Sequence, residues 1–357
     1  MRRRRGADPD RGQPLRQAPA RKRRDQNRMV KEYVRPKDAA EAVALMEQAL
    51  AKRAATSGGA ATIGGAATIG GAATIGGAAT IGGAATIGGA ATIGGAATIG
   101  GAAWLAGGTA LLSTASPSVA GNRTAADFPE LLIDVGRILP RGLNQTAAGL
   151  VIGAGTTFQE VLESPLAFSA LQASARSMAN RNIRNRATVG GNLAFNKSCA
   201  SLVPLCLALD AAVECAGGGP ANQTLPLAKW LIKPAGLLLN LILPAGGGRS
   251  AAFARSSRTA CDVSTATVAA VATVKGRRLL ELCLVVGGFS LHALRRLDIE
   301  ALFDGRDLDD LAATEAAIRP LLSAIDDQRG SSAFKRQQGA ALVADCLQAL
   351  LSAEVLP

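Results

Sequence analysis

The sequence is poor in residues that many catalytic sites require. Its 357 residues include one histidine, His292, and aromatic residues make up only 3%. A single histidine argues against paired imidazole metal ligands and against a Ser-His-Asp triad. The scarcity of aromatic rings argues against a stacking platform for single-stranded nucleic acid.

Three further features are missing. No apolar run is long enough to span a membrane, so we expect no membrane-embedded segment. No Gly-x-Gly-x-x-Gly motif opens a strand–helix–strand unit, which disfavours a Rossmann nucleotide domain. No pair of cysteines has C-x-x-C spacing, which disfavours a zinc or iron–sulfur site on this chain. Most cysteines stand in apolar runs, which favours buried, reduced thiols in a cytoplasmic protein. The six are Cys199, Cys206, Cys215, Cys261, Cys283 and Cys346.

The net charge of +12 is concentrated in the N-terminal tail. Residues 1–28 hold 11 of the 39 basic residues and three of the 27 acidic ones. The proline, glutamine and arginine content favours a disordered basic extension over a tail that binds polyanions or serves in targeting. No apolar stretch follows the arginines, which argues against a secretory or twin-arginine signal. The composition changes at Met29, and we expect the working protein to begin near it.

A hexapeptide repeat interrupts the chain. Residues 60–101 are seven perfect copies of Ala-Ala-Thr-Ile-Gly-Gly, and residues 54–59 form a degenerate eighth copy. The period matches left-handed β-helices, but such a helix takes about three hexads per coil, so the repeat makes little more than two coils. Because one third of its residues are glycine, we favour a flexible insertion.

The remaining sequence predicts a mixed α+β protein. Asp38 caps a predicted helix over residues 39–53. Short apolar strands follow at 102–105, 131–135 and 150–153. A helical region with a break near Pro165 covers 162–180, and an apolar helix covers 202–209. Strands are predicted at 237–243, 264–274 and 279–286, the last two joined by a hairpin at residues 275–277. An amphipathic helix closes the chain.

Two glycine turns are the strongest candidates for ligand binding. One runs from Leu105 to Leu111 directly after a strand, and the other from Ala187 to Asn192. Glycines allow a ligand to approach the backbone, and successive N–H groups can form a concave anion site. Two such turns suit the two phosphates of a dinucleotide. Taken alone, a Gly-Gly pair is more often an ordinary tight turn than a ligand-binding turn.

The second turn carries a family resemblance. Residues 182–194 resemble the I-R-N-x-A-T-x-G-G-N-[LI] signature of the FAD-binding subunits of molybdenum hydroxylases, which include xanthine dehydrogenase and the medium subunit of aerobic carbon monoxide dehydrogenase. Residues 106–109 resemble the first A-G-G-T turn of this family, and 207–211 its L-A-L-D-A helix. Residues 287–305 and 330–336 resemble its C-terminal motifs. The sequence departs from the family at Ser201, where an Asp is common.

The resemblance implies a para-cresol methylhydroxylase-type FAD-binding domain of two α/β subdomains. A C-terminal α+β domain with a small antiparallel sheet and helices follows it. We expect a basic extension at 1–28, an FAD-binding domain at 29–235 interrupted by the repeat at 54–101, and a C-terminal domain at 236–357. The implied cofactor is FAD. Its implied contacts are Leu105, Ala106, Gly107, Gly108, Thr109, Ala110, Leu111, Ala187, Thr188, Gly190, Gly191 and Asn192.

The resemblance also implies a function in a complex. Electrons would pass from an iron–sulfur (2Fe-2S) subunit through FAD to an acceptor such as NAD, in a cytoplasmic complex with a molybdopterin-binding subunit. No catalytic acid or base and no metal site is expected on this chain, since the flavin performs the redox chemistry. The alternatives are a stand-alone FAD-dependent reductase of the same superfamily and a non-enzymatic scaffold built on the repeat. Nucleic-acid binding through residues 1–28 is a further alternative, and it would show steep salt dependence.

Overall fold

A small, mainly parallel sheet opens the fold. The computed structural model describes residues 30–57, 98–99, 101–113, 129–217, 222–308 and 310–357; the predicted basic extension and most of the repeat lie outside these residues. Strands β1 and β3 both pair in parallel with β4, and β2 pairs antiparallel with β3. The elements of this unit are β1 Glu32–Val34, α1 Ala39–Ser57, β2 Thr98–Ile99, β3 Ala102–Leu105, α2 Thr109–Ser113 and β4 Leu131–Asp134.

A five-stranded antiparallel sheet forms the second unit, in the order β5-β6-β9-β7-β8. Its strands are β5 Leu143–Thr146, β6 Gly149–Gly153, β7 Ala212–Ala216, β8 Gln223–Pro226 and β9 Leu237–Pro244. Its helices are α3 Phe158–Glu163, α4 Ser169–Arg176, α5 Arg181–Arg184, α6 Val189–Phe195, α7 Val203–Ala208 and α8 Leu227–Ile232. Because β9 lies at the centre of this sheet, we propose that the division between the two halves of the chain follows β9 and not residue 235.

The C-terminal unit is an antiparallel meander covered on both faces. Strands β10 Ser250–Ser256, β11 Ala266–Lys275, β12 Arg278–Gly287 and β13 Leu294–Arg295 pair in sequence order. Alternate residues of β11 belong to different cores: Val268 packs with the C-terminal helices, whereas Ala269 packs with the N-terminal half. Burial on both faces explains why β11 is an apolar run without polar alternation. The helices are α9 Leu297–Phe303, α10 Leu311–Ile318 and α11 Ser332–Leu350.

Side-chain caps set the starts of several helices. The Asp38 carboxylate accepts from the N–H of Glu41 at the start of α1, at 2.8 Å. Thr157 and Glu160 form a reciprocal capping box at α3, and the hydroxyl of Thr188 caps α6. The Ser331 hydroxyl caps α11. These short polar side chains satisfy N–H groups that a helix leaves without internal partners.

The predicted α+β class and its two-part arrangement are confirmed, with differences at element ends. The α1 helix continues to Ser57, and the last repeat copy contributes β2. The break expected near Pro165 is present, since α3 ends at Glu163 and α4 begins at Ser169. Among the described residues, no helix has both the length and the apolar character needed to cross a membrane.

Candidate functional site

The two glycine turns, some 80 residues apart in the sequence, pack directly against each other. The first follows β3 and leads into α2, and the second leads into α6. A Cβ atom added to Gly107 would overlap the carbonyl group of Arg186, at the start of the second turn. Only glycine therefore permits this approach of the two backbones.

Strand pairing holds the first turn in place, and backbone hydrogen bonds hold the second. The end of β3 is fixed by β4, where Leu105 pairs with Asp134 and the Val135 N–H donates to the carbonyl of Leu105 at 2.9 Å. The second turn is bound to the segment after β6. Its Val189 and Gly190 N–H groups donate to the carbonyls of Thr156 and Ala154, both at 2.9 Å. Backbone hydrogen bonds thus tie the first turn to β4 and the second turn to the segment that follows β6.

The two turns differ in the backbone donors that they offer. In the second turn, Gly191 N–H donates to the Thr188 hydroxyl and Asn192 N–H to the Thr188 carbonyl, so these two groups, like the N–H groups of Val189 and Gly190, are already used. In the first turn, no acceptor within the described part of the chain faces the N–H groups of Gly107, Gly108 and Thr109. Gly108 has φ +72°, and successive N–H groups around such a residue form an anion-binding concavity.

A cavity of about 810 Å³ opens beside the turns. This is within the size range of cofactor and ligand pockets. The walls come from both halves of the chain, and all twelve residues predicted as site residues line the cavity. The structure therefore brings together the two turns that the sequence analysis paired.

Several lining residues were not predicted from sequence. Trp104 contributes an indole Nε1 that is buried without a hydrogen-bond partner in the described part of the chain. Ala154 lies in the Gly-Ala-Gly-Thr segment after β6, which a search for strand–glycine junctions would have found. Arg258 and Arg329 come from the C-terminal half, where no sequence motif indicated a site.

The loop at 256–264 forms one wall and is organised by Arg255. The two Nη atoms of Arg255 donate to Ser177 O at 2.6 Å, to Ala260 O at 3.1 Å and to Asp262 O at 2.8 Å. Nη2 also donates to Ser257 Oγ and to Thr259 O. Burial lowers the pKa of Arg255, against the opposing influence of Cys261 and Asp262. This one side chain joins the loop to the N-terminal half.

The cysteines fall into two groups. Four are buried, and burial raises the pKa of each thiol to about 12, which keeps them protonated; these are Cys206, Cys215, Cys283 and Cys346. Cys199 is half-buried and Cys261 exposed, and both line the cavity. The expectation of buried thiols therefore holds for four of six. Within the described residues, no cluster of metal-binding side chains occurs.

The residues fit a dinucleotide such as FAD. Gly108 has a backbone conformation that favours glycine, and a Cβ on Gly191 would contact only the Thr188 hydroxyl, at 2.9 Å. Both turns can thus present bare backbone to a ligand. The unpartnered Trp104 N–H and the three N–H groups of the first turn are donors that an acidic, oxygen-rich ligand would satisfy.

Fold and site together define a two-part α+β protein with a dinucleotide cavity between its halves. Residues 96–245 match the family described as "FAD binding domain in molybdopterin dehydrogenase", and residues 251–350 match "CO dehydrogenase flavoprotein C-terminal domain". The chain belongs to the FAD-binding subunits of the molybdenum hydroxylases, and its cofactor is FAD.

Individual relatives agree with this assignment. The chain is 29% identical over 233 residues to the uncharacterized protein YgfM of Escherichia coli K12, covering 65% of this chain and 82% of that one. It is 26% identical over 236 residues to the carbon monoxide dehydrogenase medium chain of Hydrogenophaga pseudoflava, covering 62% and 82%. A solved chain of carbon monoxide dehydrogenase from Hydrogenophaga pseudoflava superposes with a TM-score of 0.67 at 23% identity, covering 90% of this chain and 98% of that chain, which shows a shared fold.

Proposed function

We propose that this chain carries FAD as the electron-transfer subunit of a molybdenum hydroxylase resembling xanthine dehydrogenase. The observation that carries the proposal is the packing of the two glycine turns beside one cavity. In this proposal the FAD diphosphate binds the first turn, because the N–H groups of Gly107, Gly108 and Thr109 are the available donors. The second turn, from Ala187 to Asn192, supplies close contact through Gly191.

The contribution of each side chain follows from its existing bonds. Bound FAD supplies the redox chemistry, and the chain binds, orients and shields it. The Thr188 hydroxyl already accepts from Gly191, so it has one proton left to donate to the ligand. Asn192 Oδ1 accepts from Leu202 N–H at 3.2 Å, which leaves its amide N–H groups to donate. The remaining site residues give apolar and backbone contact; they are Leu105, Ala106, Ala110, Leu111, Ala187 and Gly190.

The partners in the proposal are an iron–sulfur (2Fe-2S) subunit and a molybdopterin-binding subunit. The name of the Hydrogenophaga relative, a medium chain, supports membership of a multi-subunit enzyme. The acceptor, with NAD as the first one to test, and the cytoplasmic location are part of the same proposal. Direct reoxidation of the reduced protein by NAD⁺ would identify that acceptor.

The central test is FAD binding by the full-length chain and its Gly191→Val variant. We expect the purified chain to show an oxidised-flavin absorption spectrum, or to acquire it with added FAD. Gly191→Val should weaken FAD binding at least about tenfold, since the branched side chain occupies the position of the ligand. Gly107→Val should instead unfold the protein in part, because its side chain would strike the Arg186 backbone.

The control is Ala312→Val, which adds similar bulk at an exposed position of α10. Equilibrium dialysis against FAD and a circular dichroism melting curve separate binding from folding. A wild-type chain that is purified without flavin and does not bind added FAD would refute the proposed function. Normal FAD affinity in a folded Gly191→Val protein would refute the assignment of the second turn.

A further inference from the structure

The charged side chains that line the cavity in the described part of the chain come from the C-terminal half and from the residues just after α6. The charged lining residues in the described part of the chain are Lys197, Arg258, Asp262 and Arg329. Arg258 Nε donates to Asp262 Oδ2 at 2.8 Å, so these two charges offset each other. Lys197 is exposed and lies 4.7 Å above the ring of Phe195. Arg329 is the less exposed of the two arginines, and several hydrogen bonds to one carboxylate hold it.

A half-buried network of hydrogen bonds holds Arg329 at the cavity wall. Its Nε and Nη2 donate to the Oδ2 atom of Asp327 at 3.0 and 2.5 Å, and its own N–H donates to Oδ1 at 2.8 Å. Lys335 Nζ, on a fully buried side chain, lies 2.8 Å from the same Oδ2 and donates to Gly288 O at 3.2 Å. One carboxylate thus holds two cations, and the network keeps one net positive charge.

The charge of Arg329 is also permanent. Burial opposes it, but the hydrogen bond to Asp327 and the neighbouring Cys199 raise the pKa of the guanidinium above its ordinary value. Its side chain is 20% exposed, so the surrounding solvent screens it less than it screens Arg258, which is 75% exposed. A fixed, partly dehydrated cation exerts a stronger field on a bound molecule than a mobile exposed one.

We propose that Arg329 is the electrostatic tuning residue of the flavin ring, and that it stabilises the negative charge which the ring gains on reduction. The inference rests on the proposed FAD site. FAD held by its diphosphate on the first turn would place one of its two ring systems toward the wall of the C-terminal half. The C-terminal wall carries the fixed cation and the polar groups of Gln328 and Ser264, which suit the polar edge of the flavin. A positive charge near that edge raises the affinity of the flavin for electrons.

The test uses sulfite as a probe of negative charge on the ring. Sulfite adds reversibly to oxidised flavins and leaves negative charge on the ring, so its affinity would report whether Arg329 holds a cation nearby. Full-length FAD-loaded Arg329→Gln should bind sulfite more weakly by on the order of tenfold than wild type. The flavin midpoint potential, measured by spectroelectrochemical titration, should fall in parallel.

Two further variants separate charge from structure. Arg329→Lys keeps the cation and loses the two-pronged hydrogen bond, so it should retain most of the sulfite affinity. Arg319→Gln removes an exposed arginine that pairs with Glu315 on α10, away from the cavity, and should leave both readouts unchanged. A purely structural role would predict equal losses in the Lys and Gln variants.

The outcomes distinguish this inference from the proposed function. If wild type binds no FAD, the proposed function fails. If wild type binds FAD and Arg329→Gln retains its sulfite affinity and midpoint potential, only the assignment of Arg329 is overturned. Loss of FAD affinity with an unchanged potential also overturns it, since Arg329 would then hold the phosphates or ribose.

Discussion

At the scale of single residues, some glycines of the site are needed for packing within the protein and others for access of a ligand. Gly107 and Gly190 are required by the protein itself, because added Cβ atoms would meet the backbone of Arg186 and the side chain of Ala154. Gly191 is exposed to the cavity and would meet only its own capping residue. The sequence of a Gly-Gly pair does not show which of the two roles each glycine has, because the role depends on the atoms that pack opposite it.

Asp327 gives a prediction on stability and pH. Although partial burial opposes its ionisation, hydrogen bonds from Arg329 and Lys335 hold the pKa of its carboxyl well below the ordinary value. Its stabilising contribution is therefore present above that ordinary value, near pH 4, and is lost as the pH falls toward the folded value. Asp327→Asn leaves Lys335 buried without its anion and should lower the free energy of unfolding by about 3–5 kcal/mol at pH 7.

Urea unfolding of the wild type and the variant at several pH values checks this prediction. The difference in unfolding free energy between the two proteins should narrow below about pH 4, where the Asp327 carboxyl of the unfolded wild-type chain takes up a proton that the folded protein does not bind. Asp345→Asn, on the exposed side of α11, is the matched control and should cost about 0.5 kcal/mol or less. If the two proteins differ in unfolding free energy by the same amount at pH 7 and pH 3, ionisation of Asp327 contributes nothing to stability.

At the scale of elements, regular structure was more predictable than the walls of the site. The strands at β3, β9, β11 and β12 were expected from apolar runs, and the hairpin at Gly276 from its turn residues. Helix α6 was not predicted as a helix, because its Val-Gly-Gly-Asn start has poor intrinsic propensity and depends on the Thr188 cap. The loop at 256–264 was also missed, since its shape comes from contacts with Arg255 and not from local sequence.

Arg255 gives the prediction for this loop. Arg255→Lys cannot reproduce the fork that reaches Ser177 and three carbonyls of the loop, so we expect the loop to open more often. Hydrogen–deuterium exchange of residues 256–263 should rise, and FAD should dissociate several-fold faster. Arg319→Lys serves as the control for the same chemical change at an exposed position. Unchanged exchange in the Arg255 variant would mean that strand pairing alone holds the loop.

At the scale of the whole molecule, the site is independent of most of the repeat. Every described residue that lines the cavity lies outside residues 54–101. However, Thr98 and Ile99 pair with β3, and the carbonyl of Gly101 accepts from the N–H groups of Glu130 and Leu131. The end of the repeat therefore supports the strand that leads into the first glycine turn.

Two deletions test this division of the repeat. Replacing residues 58–97 with a short Gly-Ser linker should leave FAD affinity and the melting temperature near wild type. Extending the deletion to residue 101 removes an edge strand and an acceptor for two N–H groups, and should lower stability by about 2 kcal/mol. Thermal melts and FAD titration of both proteins measure the effect. Equal behaviour of the two deletions would show that β2 and Gly101 contribute nothing.

The contact between Gly107 and the Arg186 carbonyl has a consequence for how the protein matures. Neither turn has its binding shape alone, because each forms part of the other's supporting surface. Both glycine turns must be folded before FAD can bind, so a nascent chain that ends before the second turn has no complete binding site. The absorption of bound flavin would then report that both glycine turns have been synthesised and have packed together.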